Sequence, residues 1–327
     1  MISLEAIEQA RERIAKKICR TPLVNSVTLS ELVGVNVGLK LEHRQSTGSF
    51  KLRGATNAIF QLSEAERNRG VIAASTGNHG RALSYAAQAV GAHSTICMSR
   101  LVPENKVSEI RRLGADVRIV GSSQDDAQDE VERLVTEQGL SMIAPFDHPH
   151  TIAGQGTLGL EIVEEMPDIA AVLVPLSGGG LAAGVATAIK AMRPRVKVIG
   201  ITMERGAAMK ASIDAGQPVQ VTEHRSFADS LGGGIGLENA WTFSICKTLL
   251  DDVVLVSESE IADGIRHAYE YEREIIEGAA AVGIAALLSG KLAHIKGPIV
   301  AILSGGNIDM SLHRKVIFGL NAIDEES

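Results

Sequence analysis

The sequence predicts an α/β protein of two doubly wound, open-sheet domains, and three observations carry that expectation. Short β-branched apolar runs alternate with helical patterns along most of the chain, which implies largely parallel sheets covered by helices on both faces. Glycine is abundant, 33 residues, and it clusters where strands give way to helices, the place where such sheets bind ligands. At 327 residues with 45% hydrophobic side chains, the chain has material for roughly two domains with a sizeable core.

Taken in order, the opening MISLEAIEQARERIAKK is charged throughout and has no apolar signal core. It reads as an amphipathic helix with Ile7, Ile14 and Ile18 on one side, not as an export signal. Strand Val71–Ala74 precedes helix Arg81–Val90, Ser94–Met98 precedes Glu104–Leu113, and Asp116–Val120 precedes Ser123–Glu137. Ala170–Val174 precedes the small-residue helix Leu181–Met192, with strand Val196–Ile201 directly after it. Ile299–Leu303 precedes a glycine pair, and Asp324–Ser327 reads as a solvated acidic end. No repeat and no low-complexity segment interrupts the pattern.

Composition removes several classes. The net charge of −7 leaves no Lys/Arg excess for nucleic acid or an anionic membrane surface. The longest apolar stretch, Gly278 to Leu288, falls short of the about 20 residues that cross a bilayer. Cys19, Cys97 and Cys246 are isolated and odd in number, so no disulfide framework or zinc spacing follows, and a reducing cytoplasm is the expected setting.

Three glycine loops sit at strand-to-helix junctions. Ser75-Thr76-Gly77-Asn78-His79-Gly80 would let backbone approach a ligand carboxylate or phosphate, or simply form a tight turn capped by Asn78. Ser177-Gly178-Gly179-Gly180-Leu181 puts three glycines at a helix start, a phosphate cradle, without the Gly-Lys-[Ser/Thr] ending of a nucleotide P-loop. Ser304-Gly305-Gly306-Asn307 is the third, and Gly232-Gly233-Gly234 offers a further close approach. A rival reading takes Gly178, Gly180 and Gly184 as a loose dinucleotide fingerprint, with Glu204 as the ribose-binding acid of a nicotinamide oxidoreductase.

Lys51 stands at the start of a helical pattern continued by Ala55, Ile59 and Leu62, beside Phe50. Lysine is ordinarily a solvated surface residue. Here the helix dipole and an apolar neighbour would both lower its pKa and free the amine for Schiff-base chemistry.

Ser49-Phe50-Lys51, Ser75–Gly80, Ser177–Leu181 and Ser304–Asn307 occur in the order and spacing of the fold-type-II pyridoxal-phosphate enzymes, the tryptophan synthase β-like fold. The chain most resembles the serine/threonine dehydratase (threonine ammonia-lyase) and serine racemase branch. Further matches are Gly154-Gln155-Gly156-Thr157, Leu231–Gly234, Glu277-Gly278 and the run Ser304–Asp309, so the resemblance extends from Thr21-Pro22-Leu23 to Asp309.

The resemblance implies pyridoxal 5′-phosphate as cofactor, bound to Lys51 as a Schiff base. Phe50 would pack beside the ring, Asn78 would bond the ring's 3′ oxygen, and Ser304 would face the pyridine nitrogen. The N–H groups of Gly178, Gly179, Gly180 and Leu181 would hold the phosphate, and Gly233 and Glu277 complete the cofactor set. Ser75, Thr76, Gly77, Asn78 and His79 would bind the amino-acid substrate, with Thr76 as a second catalytic residue beside Lys51. The reaction implied is β-elimination of water from a β-hydroxy amino acid, L-threonine, L-serine or 3-hydroxyaspartate, giving a 2-oxo acid and ammonia. Lys51 would remove the Cα proton.

Departures narrow this. His79 after the asparagine favours a dehydratase over a β-replacement synthase, where threonine is usual. Racemases of this branch carry serine at the position of Thr76, which leaves racemisation as a side activity. Their divalent-cation site pairs a Glu with an Asp six residues on; Glu204 is followed at that spacing by Lys210, so no metal is expected. His148 and His150 read as a polar loop at the edge of the substrate domain. The chain ends soon after Asp309, without the regulatory domain of the isoleucine-pathway deaminases, which implies a catabolic enzyme. A hydroxyectoine-utilisation dehydratase shares the Ser-Thr-Gly-Asn-His-Gly-Arg run. That substrate, like 3-hydroxyaspartate, asks for an extra cation, and Arg53 and Arg81 stand near the right loops unless they form surface ion pairs. The expected domains are a large cofactor-binding unit, residues 1–45 and 150–327, and a small mobile unit, 46–149, in a homodimer or homotetramer.

Overall fold

The computed structural model describes residues 2–75, 77–102 and 104–323; Thr76 and the acidic end Asp324–Ser327 lie outside the described residues. Ten strands form two sheets. They are β1 (Leu23–Ser26), β2 (Val37–Lys40), β3 (Val71–Ala74), β4 (Ser94–Met98), β5 (Asp116–Ile119), β6 (Ser141–Met142), β7 (Ala171–Pro175), β8 (Lys197–Met203), β9 (Asp252–Val256) and β10 (Ile299–Ile302). The larger sheet runs β1-β2-β10-β7-β8-β9 and the smaller β5-β4-β3-β6. Every pairing is parallel except β1 with β2.

The apolar runs are strands because both of their faces are covered. Along β7, Ala171 and Leu173 join one buried cluster, which includes the helix Gly278–Leu288, while Val172 and Val174 join another under the helices Pro149–Glu165 and Gly180–Met192. β10 alternates likewise, with Ile299 and Ala301 on one side and Val300 and Ile302 on the other. The apolar stretch at 278–288 is therefore a core helix, buried from Gly278 to Leu287. Among the described residues no helix is long and apolar enough to cross a membrane. In the smaller sheet Val71, Ala73, Ile96 and Met98 face one cluster, and Ile72 and Cys97 another.

The expected strands and helices recur, Val71–Ala74 and Ser94–Met98 with the same ends and the others with ends shifted by at most three residues. The N-terminal helix stops at Ile14, burying Ile7, Ala10 and Ile14, so Ile18 lies beyond it and packs against the core of the smaller sheet. Asn78 is the first residue of its helix, with Gly77 at the cap position, rather than the cap itself. His148 and His150 are not in a loop: His148 caps the helix Pro149–Glu165, its ring nitrogen accepting from the His150 N–H at 3.2 Å, with proline at the favoured first position. That helix lies against Gly180–Met192 so closely that a Cβ on Gly184 would come within 2.4 Å of the Ile152 oxygen and 2.6 Å of the Gly156 nitrogen.

Arg53 is not a surface ion pair. It is fully buried, its guanidinium bridging Glu42 (2.8 Å) and Glu161 (2.7 Å), while Lys40, also fully buried, bonds Glu161 at 2.9 Å. Burial works against the Arg53 charge, but the two carboxylates more than offset it and its pKa is raised. The Glu161 carboxyl, though buried, is held low by Arg53 and Lys40. This cluster ties β2 and the helix Lys51–Phe60 to the helix Pro149–Glu165.

Candidate active site

The glycine loops leave the carboxyl ends of strands in both sheets. The loop after β3 holds Ser75–Gly77, the loop after β7 holds Ser177–Gly179, and the loop after β10 holds Ser304–Asn307. Lys51 opens its helix, whose cap position, Phe50, offers no capping side chain. Phe50 N donates to the Ser304 oxygen at 3.0 Å, Ser49 bridges Gly305, and Gly306 N donates to the Gly48 oxygen at 2.9 Å. The lysine is thereby strapped to the loop after β10.

The Lys51 amine donates to the Pro145 oxygen at 2.7 Å and stands 5.4 Å from the centre of the Phe50 ring. Burial lowers its pKa to about 8, with the charge of Glu277 opposing the shift. A good fraction of this amine is therefore neutral near pH 8, the form that attacks a carbonyl.

The triple-glycine turn lies on the other side of the same short segment. A Cβ on Gly178 would stand 2.5 Å from the Phe146 ring, and one on Gly180 would stand 2.9 Å from the Phe146 Cα. Gly179 adopts φ +87°, a left-handed conformation that turns the chain into the helix. The first main-chain bond of that helix is Ala183 N to the Gly179 oxygen at 2.7 Å. Among the described residues nothing accepts from the N–H groups of Gly179, Gly180, Leu181 and Ala182. Four free donors at a positive dipole end suit a dianion.

A third group faces these two. Asn78 Nδ2 donates to Glu277 Oε1 at 2.7 Å, Asn307 Nδ2 donates to Asn78 Oδ1 at 2.5 Å and to the Thr47 oxygen at 2.9 Å, and Arg81 Nη1 donates to Asn307 Oδ1 at 3.2 Å. Burial raises Glu277 to about 7, Asp229 adds to the rise, and the Asn78 bond opposes it. Asp229 belongs to the segment that crosses Gly278, where a Cβ would meet the Phe227 oxygen at 2.1 Å. Ser304 is buried beside Phe50, and the hydroxyls of Ser49 and Thr47 are buried without a partner.

Lys51, Phe50, Ser304, Asn78, Glu277 and the turn Gly178–Leu181 are thus gathered around Pro145–Phe146 and the Ser304–Asn307 loop. His79 is turned inward: its Nε2 donates to the Ile143 oxygen at 2.7 Å, and burial, reinforced by the Lys51 charge, lowers it to about 3, so it is neutral. Ser75 Oγ accepts from Gly80 N at 3.1 Å and closes the loop. Gly233 lies in the loop after Leu231, where the nearest atom to a Cβ would be Glu223 Oε1 at 3.9 Å. Glu204 neighbours Lys291 at 3.9 Å, Lys210 pairs with Asp214, and among the described residues no group of three His, Cys, Asp or Glu could hold a metal. Sequence reasoning missed Asn307, Arg81's place in this network, and Pro145–Phe146. It also missed Asp147, whose carboxylate caps the N–H groups of Ala240, Trp241 and Thr242. The last two lie in the run Phe146-Asp147-His148-Pro149-His150, where the histidines drew the notice.

A model of the family described as pyridoxal-phosphate dependent enzyme matches residues 14–305. The chain belongs to the pyridoxal-phosphate-dependent enzymes. The residues present fit that cofactor: a desolvated amine for the aldehyde, four unspent N–H groups for the phosphate, and orphaned hydroxyls beside an aromatic ring. The chain is 73% identical, over 99% of its length and 98% of the other's, to a Sinorhizobium fredii protein provisionally named a threonine dehydratase. It is 45% identical to the L-threonine ammonia-lyase of Thermotoga maritima, over 97% of this chain and 78% of that one. Among solved structures, maize serine racemase superposes with TM-score 0.92 at 32% identity, covering 97% of each chain. This is therefore a fold-type-II pyridoxal-phosphate enzyme of the dehydratase and ammonia-lyase branch. The nicotinamide reading falls with that: Gly184 is spent on packing two helices, and Glu204 neighbours a lysine.

Proposed function

We propose that this chain eliminates water from L-threonine and L-serine, releasing a 2-oxo acid and ammonia. The observation that carries this reading is the Lys51 amine, desolvated to a pKa of about 8 and set between an aromatic ring and a turn of unspent N–H groups. The names of the relatives supply the substrate.

In this reading Lys51 would hold the cofactor, the N–H groups of Gly178–Leu181 its phosphate, and Phe50, Gly233, Asn78 and Ser304 its ring. Pyridoxal phosphate, when bound, supplies the electron sink that makes the substrate Cα proton acidic. The Lys51 Nζ takes that proton and returns it towards the departing hydroxyl. Ser304, a neutral hydroxyl, would bond the pyridine nitrogen without lending it a proton, so the cofactor would be a weaker electron sink there than beside a carboxylate. Glu277, whose pKa burial raises to about 7, would orient the Asn78 amide. The helix start at Gly77–Asn78, with Ser75 and Thr76 before it in the sequence, would receive the substrate carboxylate, and Thr76 would serve as the second catalytic residue, while His79 packs inward.

The small unit, 46–149, would close on the large one, 1–45 and 150–327, and exclude water. We further propose a cytoplasmic homodimer. A second reading, an acidic β-hydroxy amino acid such as 3-hydroxyaspartate, would use Arg81, whose guanidinium donates to Asn307 at 3.2 Å and neighbours Glu109 at 3.6 Å. One panel tests both: threonine, serine and the 3-hydroxyaspartate diastereomers, scored for 2-oxo acid and ammonia with the parent and with Lys51→Ala. Ammonia release that survives Lys51→Ala would reject the assignment.

A further inference from the structure

At the end of the larger sheet opposite the catalytic loops, a cavity of about 910 Å³ opens between the turns that lead into β7, β8 and β10. Its lining carries Arg193, Arg195, Lys197, Lys296 and His294 against one acid, Asp168. The whole chain has a net charge of −7, so this cluster runs against the overall balance. Its four permanent cations are also unspent. Among the described residues no carboxylate pairs with Arg193, Arg195, Lys197 or Lys296; Arg193 bonds only the Met192 oxygen and Lys296 only the Ala293 oxygen, each at 3.0 Å. Nearby Lys190, by contrast, is paired with Asp251 at 2.7 Å.

The helices Pro149–Glu165 and Gly180–Met192 end at this side, and Arg193 follows the second directly. Each helix end contributes roughly half a negative charge, so with Asp168 counted a surplus of about two positive charges remains. The cations are exposed and repel one another with no carboxylate between them, while the rings of Pro167, Pro194 and Pro298 and the strand starts hold the backbones that carry them. Buried Ile169, Val196 and Ile295 give the cavity an apolar floor.

We propose that this cavity binds a small organic polyanion, a molecule with two or more phosphate or carboxylate groups on a compact, partly apolar frame. The site is separate from the catalytic one, at the amino ends of strands whose carboxyl ends carry the cofactor loops. Exposed cations without carboxylate partners, carried over an apolar floor, would take such a ligand through charge-assisted hydrogen bonds.

The test uses the holoenzyme, so that the catalytic phosphate cradle is filled. Inorganic pyrophosphate and citrate are each titrated by calorimetry and by thermal unfolding, with potassium chloride at matched ionic strength as reference. The expected result is saturable binding of one probe per chain, weakened by salt, with unfolding shifted upward as the probe is raised. Pyrophosphate alone binding assigns a phosphate ligand, citrate alone a carboxylate ligand. The triple variant Arg195→Glu, Lys197→Glu, Lys296→Glu should lose at least ten-fold in affinity and keep its ammonia release. Should that variant not fold, Arg195→Gln with Lys197→Gln gives the same comparison. Equal response to chloride, or equal affinity in the charge variants, would overturn the proposal.

Discussion

The carboxyl of Glu277 and the side-chain amide of Asn78 meet at 2.7 Å, and the bond joins a helix of the smaller sheet to one of the larger. An acid that burial raises to about 7 changes its charge within the working range of most enzymes, and this one accepts the Asn78 amide hydrogen bond.

Replacing Glu277 by Gln should show this. In the cofactor-free protein the folded state keeps a proton that the unfolded chain has released between the ordinary value of 4.5 and about 7. Stability therefore falls as pH rises through that window. Glu277→Gln removes the group, so its denaturation midpoint should change less between pH 5 and 7 than the parent's. Parallel curves for the two proteins would contradict the assignment.

Lys51 has the opposite sign. Its folded value of about 8 lies below the ordinary 10.5, so the folded state binds fewer protons between the two and stability rises with pH there. Lys51→Met should flatten cofactor-free stability from pH 8 to 10.5 and raise it at pH 7. Ammonia release should drop by at least about 10²-fold, the lower range for a lost acid–base group.

Arg53→Met leaves Glu42 and Glu161 buried without their shared cation. The loss should be about 3–5 kcal/mol, read from urea unfolding. Arg53→Lys should recover only part of it, because an ammonium cannot fork across two carboxylates. Full recovery by lysine would show that charge alone matters there.

Gly184→Ala places a Cβ against two main-chain atoms that cannot swing away. It should cost about 1–3 kcal/mol by overpacking. Activity per folded molecule should stay close to the parent's, because the contact lies along the helices and not in the loops. Thermal unfolding together with active-site titration separates the two effects.

Much of this was legible in the sequence because the signals are local. The strand–helix alternation, Lys51 at a helix start and the triple-glycine turn each follow from a few adjacent residues. What the sequence could not disclose are pairings across long separations. Nothing near Arg53 says that Glu161 will reach it, and nothing near Asn78 says that Asn307 will hold its oxygen. Short or half-exposed strands were equally silent: β6 has only two residues, and β9 is buried fully only at Val256. The opening helix was drawn too long because Ile18 keeps the apolar spacing while packing on a different core.

The parallel pairing of β2 with β10, Val37 opposite Ile299, has a cost in time. A ribosome releases β2 early, and its partner follows only after most of the chain has been made. The four strands of the smaller sheet all fall between those two, so that sheet is free to assemble while the larger one waits with an open seam. Nascent chains of this kind are slow folders that depend on protection from aggregation, and a fragment missing its last thirty or so residues should gather in inclusion bodies rather than yield a weakened enzyme.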